Sequence, residues 1–312
     1  MKCKHVGLVL SGGGLNGFSY IGVITYLNDI QCLRDIHTFV GTSAGGILCM
    51  LLALDVDLQN IVDMCNNSKF LQCFSNMNLD IEHMLESYGI IDTLELKSII
   101  ELLFLNKYGK TSLTMKDAYQ LTGKQCTLVS TNVHTMDPIY MNHETHPDTT
   151  CIDAILATCA IPFLFPAIHL QSQNNNVLAI DGAFIDNFAY SYAMNHYNLK
   201  PYNTISICLC INKPINEYID NTCILSYTNR ILYLVSTCIV YHQYILHKNN
   251  PDIYILSLNH TLPISKIMNM NMNHDILDDM IHDGYHLYSE HVQTLPNSIV
   301  TEYYLKSRYE CN

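Results

Sequence analysis

The residues whose types and spacing could do chemistry stand in three places. Ser43 lies in Gly41-Thr42-Ser43-Ala44-Gly45, a match to Gly-x-Ser-x-Gly. In such an elbow the serine occupies a tight strand-to-helix turn and its Oγ projects from the sheet edge. Small neighbours are needed because the backbone packs closely on both sides. The helix that follows aims its N-terminus at Ser43, which favours alkoxide character there. These features mark Ser43 as a candidate nucleophile.

The second place is Gly12-Gly13-Gly14-Leu15-Asn16-Gly17, after an apolar run and before a helical pattern. Glycines let backbone N–H groups converge without Cβ obstruction, and such a nest at a helix start stabilises an anion. Either a phosphate or the oxyanion of a tetrahedral intermediate would suit it. Gly12-x-Gly14-x-x-Gly17 also matches the dinucleotide fingerprint, which expects an acidic residue closing the second strand. The second strand runs into Gly41-Thr42-Ser43 instead. The third place is Asp181-Gly182-Ala183, directly after the apolar run 177–180. Asp-Gly is by itself a common turn dipeptide. An Asp at the C-terminal end of a strand also lies on the side of a sheet where α/β active sites form.

Apolar spacing supplies the elements that must position these residues. Strands are expected over 6–10 and 36–40, each followed by a glycine turn and a helix, over 15–28 and 44–54. This is the opening of an α/β fold with parallel strands. Residues 58–121 read as mainly helical, with Asp92 and Thr93 ahead of a helix over 94–105. Capping boxes fit at Thr114 with Asp117 and at Thr150 with Asp153, the latter ahead of 152–158. Further strands are expected over 126–131, 139–142, 167–170, 177–180, 204–210 and 252–256, and a helix over 275–292. Residues 222–246 form the most apolar stretch, interrupted by Asn229, Arg230, His242 and Gln243 and short of a bilayer span. It is read as a core helix, with an interfacial helix as the alternative. With no repeat or linker, the 312 residues are expected to form a single domain whose core motifs fall within 6–210.

The formal charge of −12 is spread along the chain, so neither nucleic acid nor a strongly anionic membrane is an expected partner. Thirteen cysteines, several inside apolar runs (Cys49, Cys159, Cys208, Cys238), include no Cys-x-x-Cys pair and suit a reducing, cytoplasmic compartment. The run 6–10 is too short for a signal peptide. Abundant Asn, Ile and Tyr with no Trp fit an AT-rich coding genome, such as that of a large DNA virus acting in host cytoplasm.

Taken in order, the glycine loop 12–17, the elbow 41–45, the run Ala157-Thr158-Cys159-Ala160-Ile161-Pro162 and Asp181-Gly182-Ala183 followed by Asp186-Asn187 resemble the patatin-like phospholipases. The resemblance covers most of the chain from Val6 to about Cys210. It implies a three-layer α/β/α fold with a mostly parallel central sheet and a lipid acyl hydrolase of glycerolipids or phospholipids. Such an enzyme works without metal or cofactor and touches membrane surfaces transiently. It further implies a Ser–Asp dyad: Ser43 attacks the ester, Asp181 handles its proton, and the N–H groups of Gly12, Gly13 and Gly14 hold the oxyanion. Gly17, Gly41, Gly45, Gly182 and Ala183 complete the motifs. One departure stands out, since Asn16 occupies a position that is usually Arg or Lys in the family.

Other constellations are weaker. His143-Glu144-Thr145-His146 has its second histidine at i+3, not the i+4 of a helical zinc motif, and runs into Pro147. Cys208-x-Cys210 alternates on a strand and reads as packing. Histidines after Asp181 (His196, His260, His274, His282, His286, His291) leave a Ser–His–Asp triad as the runner-up. A catalytically impaired lipid-binding protein, motivated by Asn16, is the alternative from another class.

Overall fold

The computed structural model describes residues 6–67, 69–70, 73, 86–172, 175–210, 224–257 and 274–294. The first apolar run forms β1 (Val6–Leu10) and the second β2 (Ile36–Thr42), paired in parallel with Leu10 opposite Gly41. Between them the glycine run makes a 3-10 turn (Gly14–Gly17) before α1 (Phe18–Asp29). The helix expected from residue 15 therefore starts three residues later. Gly14 sits at φ +54, and the Asn16 N–H closes onto the Gly13 carbonyl at 3.1 Å.

The chain continues through α2 (Ser43–Ala53), α3 (Leu58–Cys65), α4 (Leu94–Tyr108) and α5 (Met115–Thr122). Next come β3 (Gln125–Asn132), β4 (Pro138–Met141), α6 (Cys151–Thr158), β5 (Ile168–Ser172) and β6 (Asn175–Asp181). A short α7 (Ala183–Asp186), α8 (Tyr190–His196), β7 (Thr204–Cys210), α9 (Ile224–His247), β8 (Tyr254–Ser257) and α10 (His274–Thr294) follow. Thr114 and Asp117 make the reciprocal capping box expected of them, and the Thr150 side chain accepts from the Asp153 N–H. Part of the region 58–121 read as helical lies outside the described residues.

The eight-stranded sheet has the order β5-β6-β3-β2-β1-β7-β8, with β4 also paired to β3. β3, β2, β1, β7 and β8 are mutually parallel. β4 and β6 pair antiparallel to β3, and β5 antiparallel to β6. Side-chain alternation along the strands splits the core into two layers. Leu8, Leu10, Phe39, Ile205, Ile207 and Leu209 face the layer that holds α1, α2, α6 and α10. Val9, Val40, Val129, Cys208 and Cys210 face the opposite layer, with Phe188, Ala193 and Tyr244 from the helical segments on that side. The mostly parallel sheet is thus covered by helices on both faces, as the resemblance implied. α1 and α10 cross unusually close: a Cβ on Gly22 would sit 1.8 Å from the Ile281 carbonyl oxygen, and one on Gly284 1.9 Å from that of Ser19.

Two expectations need correction. β6 does not end at the C-terminal edge as a parallel strand would. It starts beyond that edge and runs back into it, pairing only its last residues, Ala179 to Asp181, with Asn132 to Ser130. Asp181 reaches the expected place from the opposite direction. The segment read as a core helix is α9, and its outer face is open: Ile231, Leu234 and Ile245 are each more than 40% exposed. Among the described residues, no helix is long and apolar enough to cross a membrane.

Candidate active site

The glycine loop and the elbow leave adjacent parallel strands at the same edge and interlock there. A Cβ on Gly17 would meet that of Ala44 at 2.5 Å, and one on Gly45 would meet the Ser11 carbonyl oxygen at 2.5 Å. Gly41 packs as tightly against the Gly45 carbonyl, at 2.6 Å. The motif glycines are therefore fixed by close approach of backbone to backbone. Ser11 braces the loop from below: its Oγ accepts from the Leu209 N–H at 2.9 Å and pairs with the Tyr20 hydroxyl.

Ser43 opens α2 at φ +52, in the left-handed region that a non-glycine residue occupies only under constraint. The constraint is visible. The Ser43 N–H donates to Thr158 Oγ1 at 2.9 Å, and that hydroxyl in turn donates to the Val129 carbonyl. Thr158, the last residue of α6, thereby tethers the elbow to β3. The run 157–162 carried this residue in the sequence, but nothing local marked it as a tether.

Ser43 Oγ donates to Asp181 Oδ2 at 2.7 Å, while Asp181 Oδ1 accepts from the Ala183 N–H at 2.8 Å. The Asp181 backbone is pinned by Thr131 Oγ1, which donates to its carbonyl at 2.9 Å. Asp181 is 1% exposed, and this desolvation pushes its carboxyl up to about 7, against the lowering effect of its two hydrogen bonds. Gly182 allows the approach, because a Cβ there would meet the Val129 carbonyl oxygen at 2.3 Å. Cys159 also lines the site; burial first, then Asp181, holds its thiol well above the usual range, so it is no competing thiolate.

The segment after Asp181 clamps both loops. Thr42 Oγ1 donates to the Asp186 carbonyl at 3.0 Å, and the Gly12 N–H donates to the Asn187 carbonyl at 3.0 Å. The second bond corrects an expectation: the Gly12 N–H is already committed and is not open to an oxyanion. A Cβ at Gly12 would lie 2.4 Å from Asn187 Oδ1 and 3.1 Å from Ser43 Cβ, so close packing is what requires glycine there. The N–H groups of Gly13 and Gly14 meet no backbone acceptor among the described residues. Asn187 Nδ2 is buried and without a hydrogen-bond partner among them.

Ser43, Asp181, Gly12 to Gly14 and Asn187 share the wall of a cavity of about 210 Å³. Its other walls are mostly apolar, including Phe18, Ile47, Phe70, Leu96, Leu164 and Phe184. Among the described lining residues, none is Lys, Arg or His, and Asp181 is the one carboxylate. Asn16 lies in the wall, buried, with its carbonyl accepting from Ser19 Oγ at 2.7 Å. The described histidines considered for a triad sit elsewhere. His196 lies 3.4 Å from Glu144 and stacks on Tyr192. His282 packs on His286 and His291 on Tyr254, while His274 opens α10. His260 is outside the described residues. In the set-aside zinc-like run, His143 stacks on Tyr119 and His146 Nδ1 pairs with Thr145 Oγ1.

A serine in a strand-to-helix turn, a glycine loop at the same sheet edge and a buried aspartate hydrogen-bonded to the serine thus meet in one apolar cavity of an α/β/α frame. The model of the patatin-like phospholipase family matches residues 8–194, and the chain belongs to that family. β7 and β8 extend the same sheet beyond that span. A probable lipid hydrolase of Invertebrate iridescent virus 6 is 27% identical over 198 residues, which cover 62% of this chain and 64% of the viral one. Triacylglycerol lipase 4 of Saccharomyces cerevisiae is 27% identical over 179 residues, 54% of this chain and 19% of the yeast protein. VipD from Legionella pneumophila shares the fold with a TM-score of 0.59 at 15% identity, over 92% of this chain and 66% of that one. The chain thus spans less than two thirds of the length of these relatives.

Proposed function

We propose that this chain hydrolyses acyl esters of glycerolipids, with Ser43 as nucleophile and Asp181 as its proton acceptor. The observation that carries the reading is the 2.7 Å hydrogen bond from Ser43 Oγ to Asp181 in the wall of a largely apolar cavity. An aspartate at its ordinary pKa is a poor base for a hydroxyl. One held near 7 is matched to neutral pH. Ser43 Oγ attacks the ester carbonyl as its proton passes to Asp181, and the carbonyl electron pair moves onto oxygen. The N–H groups of Gly13 and Gly14, with the N-terminus of α2, stabilise that oxyanion. Collapse of the intermediate expels the glyceryl oxygen, which takes the proton from Asp181 and leaves an acyl-Ser43. Water, deprotonated by Asp181, then attacks the acyl carbon; the bond to Ser43 Oγ breaks, Oγ regains the proton from Asp181, and the fatty acid leaves. No step requires a metal or organic cofactor.

The apolar walls suit a fatty acyl chain, which supports a lipid over a small polar ester. The viral and yeast relatives carry lipid hydrolase and lipase names, in the same direction. The test is labelling by a fluorophosphonate together with mass-spectrometric product analysis on a glycerolipid panel. Wild type is expected to label and to release fatty acid, and Ser43→Ala to do neither. Labelling or full hydrolysis in Ser43→Ala would overturn the assignment.

A further inference from the structure

α9 is two-faced in a way that the cavity explains only in part. Thr237, Ile239 and Val240 line the cavity, so this helix forms part of its wall. Its opposite side exposes Tyr227, Ile231, Leu234, Tyr241, Ile245 and Leu246, each more than 40% accessible. The spacings of four, three, seven and four keep Tyr227, Ile231, Leu234, Tyr241 and Ile245 on a single stripe, with Leu246 on its flank. At 1.5 Å per residue the stripe is about 27 Å long. A soluble helix normally presents charge to water on such a face.

Charge is also distributed against expectation. The chain carries −12, yet residues 221–251 contain no Asp or Glu. Their two cations are Arg230, whose Nη1 is buried, and Lys248, which follows the C-terminal end of the helix and lies over the Tyr244 ring. Tyr227 and Tyr241 lie in the stripe, as amphipathic rings do at an interface. α4 shows the contrast: Leu94 and Leu102 are exposed there, but Glu95, Lys97, Glu101 and Lys107 are interleaved with them.

Two residues on other elements bordering the cavity behave in the same manner. Phe163 is 57% exposed at φ +66, a backbone conformation that costs a bulky side chain energy, and it adjoins the cavity-lining Ile161 and Leu164. Ile185, on α7 beside the cavity-lining Phe184, is 43% exposed.

We infer that the outer face of α9 is the surface by which this chain docks on a lipid aggregate, inserting its apolar stripe beside the cavity. The surface is an uncharged or zwitterionic one, because residues 221–251 offer apolar area and only two cations, one of them partly buried, while the whole chain repels anionic lipid. Docking there lets an acyl chain pass from the aggregate to Ser43 without crossing water. The inference rests on the lipid reading of the site, and its test is independent of turnover.

The chain has no tryptophan, so Leu234→Trp introduces a lone reporter on the stripe. Placed in the Ser43→Ala background and mixed with phosphatidylcholine vesicles, it should shift its emission to the blue and be quenched by brominated acyl chains. Vesicle flotation of Ile231→Gln/Leu234→Gln/Ile245→Gln should fall about tenfold or more, since three inserted side chains are lost. Leu94→Gln/Leu102→Gln on α4 should float as wild type does. Fluorophosphonate labelling of the triple variant, unchanged from wild type, establishes that it is folded. An emission unaffected by vesicles, or equal flotation of the triple variant, would overturn the inference. So would a blue shift that grows with protein concentration in the absence of lipid, which would assign the face to a second copy of the chain. Vesicle binding by a wild type that cleaves no glycerolipid would instead leave docking standing and sink the catalytic reading.

Discussion

Asp181→Asn is expected to abolish catalysis and yet to gain stability relative to wild type as pH rises. The carboxyl is 1% exposed and its pKa stands at about 7, against an ordinary value of 3.8. Because the folded-state value is the higher one, the native protein binds this proton more tightly than the unfolded chain between the two values. Stability from this group is therefore full below about 3.8, falls as pH climbs, and reaches its minimum above about 7. At the usual free-energy equivalent of a pH unit the whole interval amounts to roughly 4 kcal/mol, of which roughly 2–3 kcal/mol falls between about pH 5 and about pH 8. Asparagine keeps the shape and an acceptor for the Ala183 N–H but does not ionise. Denaturant unfolding of both proteins at the two pH values cancels every other titrating group. The gap between variant and wild type should widen by that amount toward alkaline pH. In parallel, wild-type kcat/KM on a soluble short-chain ester should fall about tenfold per pH unit below about 7. The variant should lose about 10²–10⁴-fold on the plateau above about 7 and lack the acid limb. A gap that stays flat with pH, or an acid limb near 4, would refute the picture of a desolvated base.

Three further outcomes follow from local geometry. Ser43 at φ +52 holds a left-handed conformation that strains any side chain, so Ser43→Gly should unfold about 1 kcal/mol later than Ser43→Ala in denaturant titration, both being inactive. Thr158→Val strands the Ser43 N–H and removes the donor to Val129; it should cost about 1–3 kcal/mol and lower kcat more than it raises KM, while Thr158→Ser restores both. Gly22→Ala places a Cβ 1.8 Å from a backbone oxygen of α10, so calorimetry should register a loss of about 1–3 kcal/mol or more with the pH profile of the remaining activity unchanged.

The parts of this molecule that were legible in the sequence are those encoded locally. Apolar runs followed by glycines gave β1 and β2 with their turns, and Gly41-Thr42-Ser43-Ala44-Gly45 gave the elbow, because each needs only neighbouring residues to specify it. Asp181 was legible as a strand-end residue, but the direction of β6 was not, since a strand's sequence does not record which way its neighbour runs. The glycine loop was legible as a cluster of donors. That one of them is spent on Asn187 depends on a residue 175 positions away from Gly12. Thr158 and the Gly22–Gly284 crossing are invisible for the same reason. α9 failed differently: its composition is that of a core helix, and composition does not say whether protein covers it.

Asn16 bears on how the two halves of the site are balanced. A cation in the glycine loop would add Coulombic stabilisation to the oxyanion, but it would also act on Asp181. Among the described residues that line the cavity none is Lys, Arg or His, so only the hydrogen bonds from Ser43 and the Ala183 N–H oppose the desolvation that raises Asp181. An opposite charge within the cavity favours the ionised carboxylate and lowers its pKa. Oxyanion stabilisation and base strength therefore pull against one another at this position. Asn16→Arg should move the acid limb of the kcat/KM profile to lower pH, by about one unit or more if the guanidinium lies within reach of the carboxylate. The rate on the plateau then reports the balance between a better oxyanion site and a weaker base. Asn16→Gln, similar in length to the start of that side chain but uncharged, should leave the limb in place. An arginine variant that labels with fluorophosphonate as wild type does, but whose acid limb stays near 7, would show that a charge at position 16 does not act on the titrating group and would refute this balance.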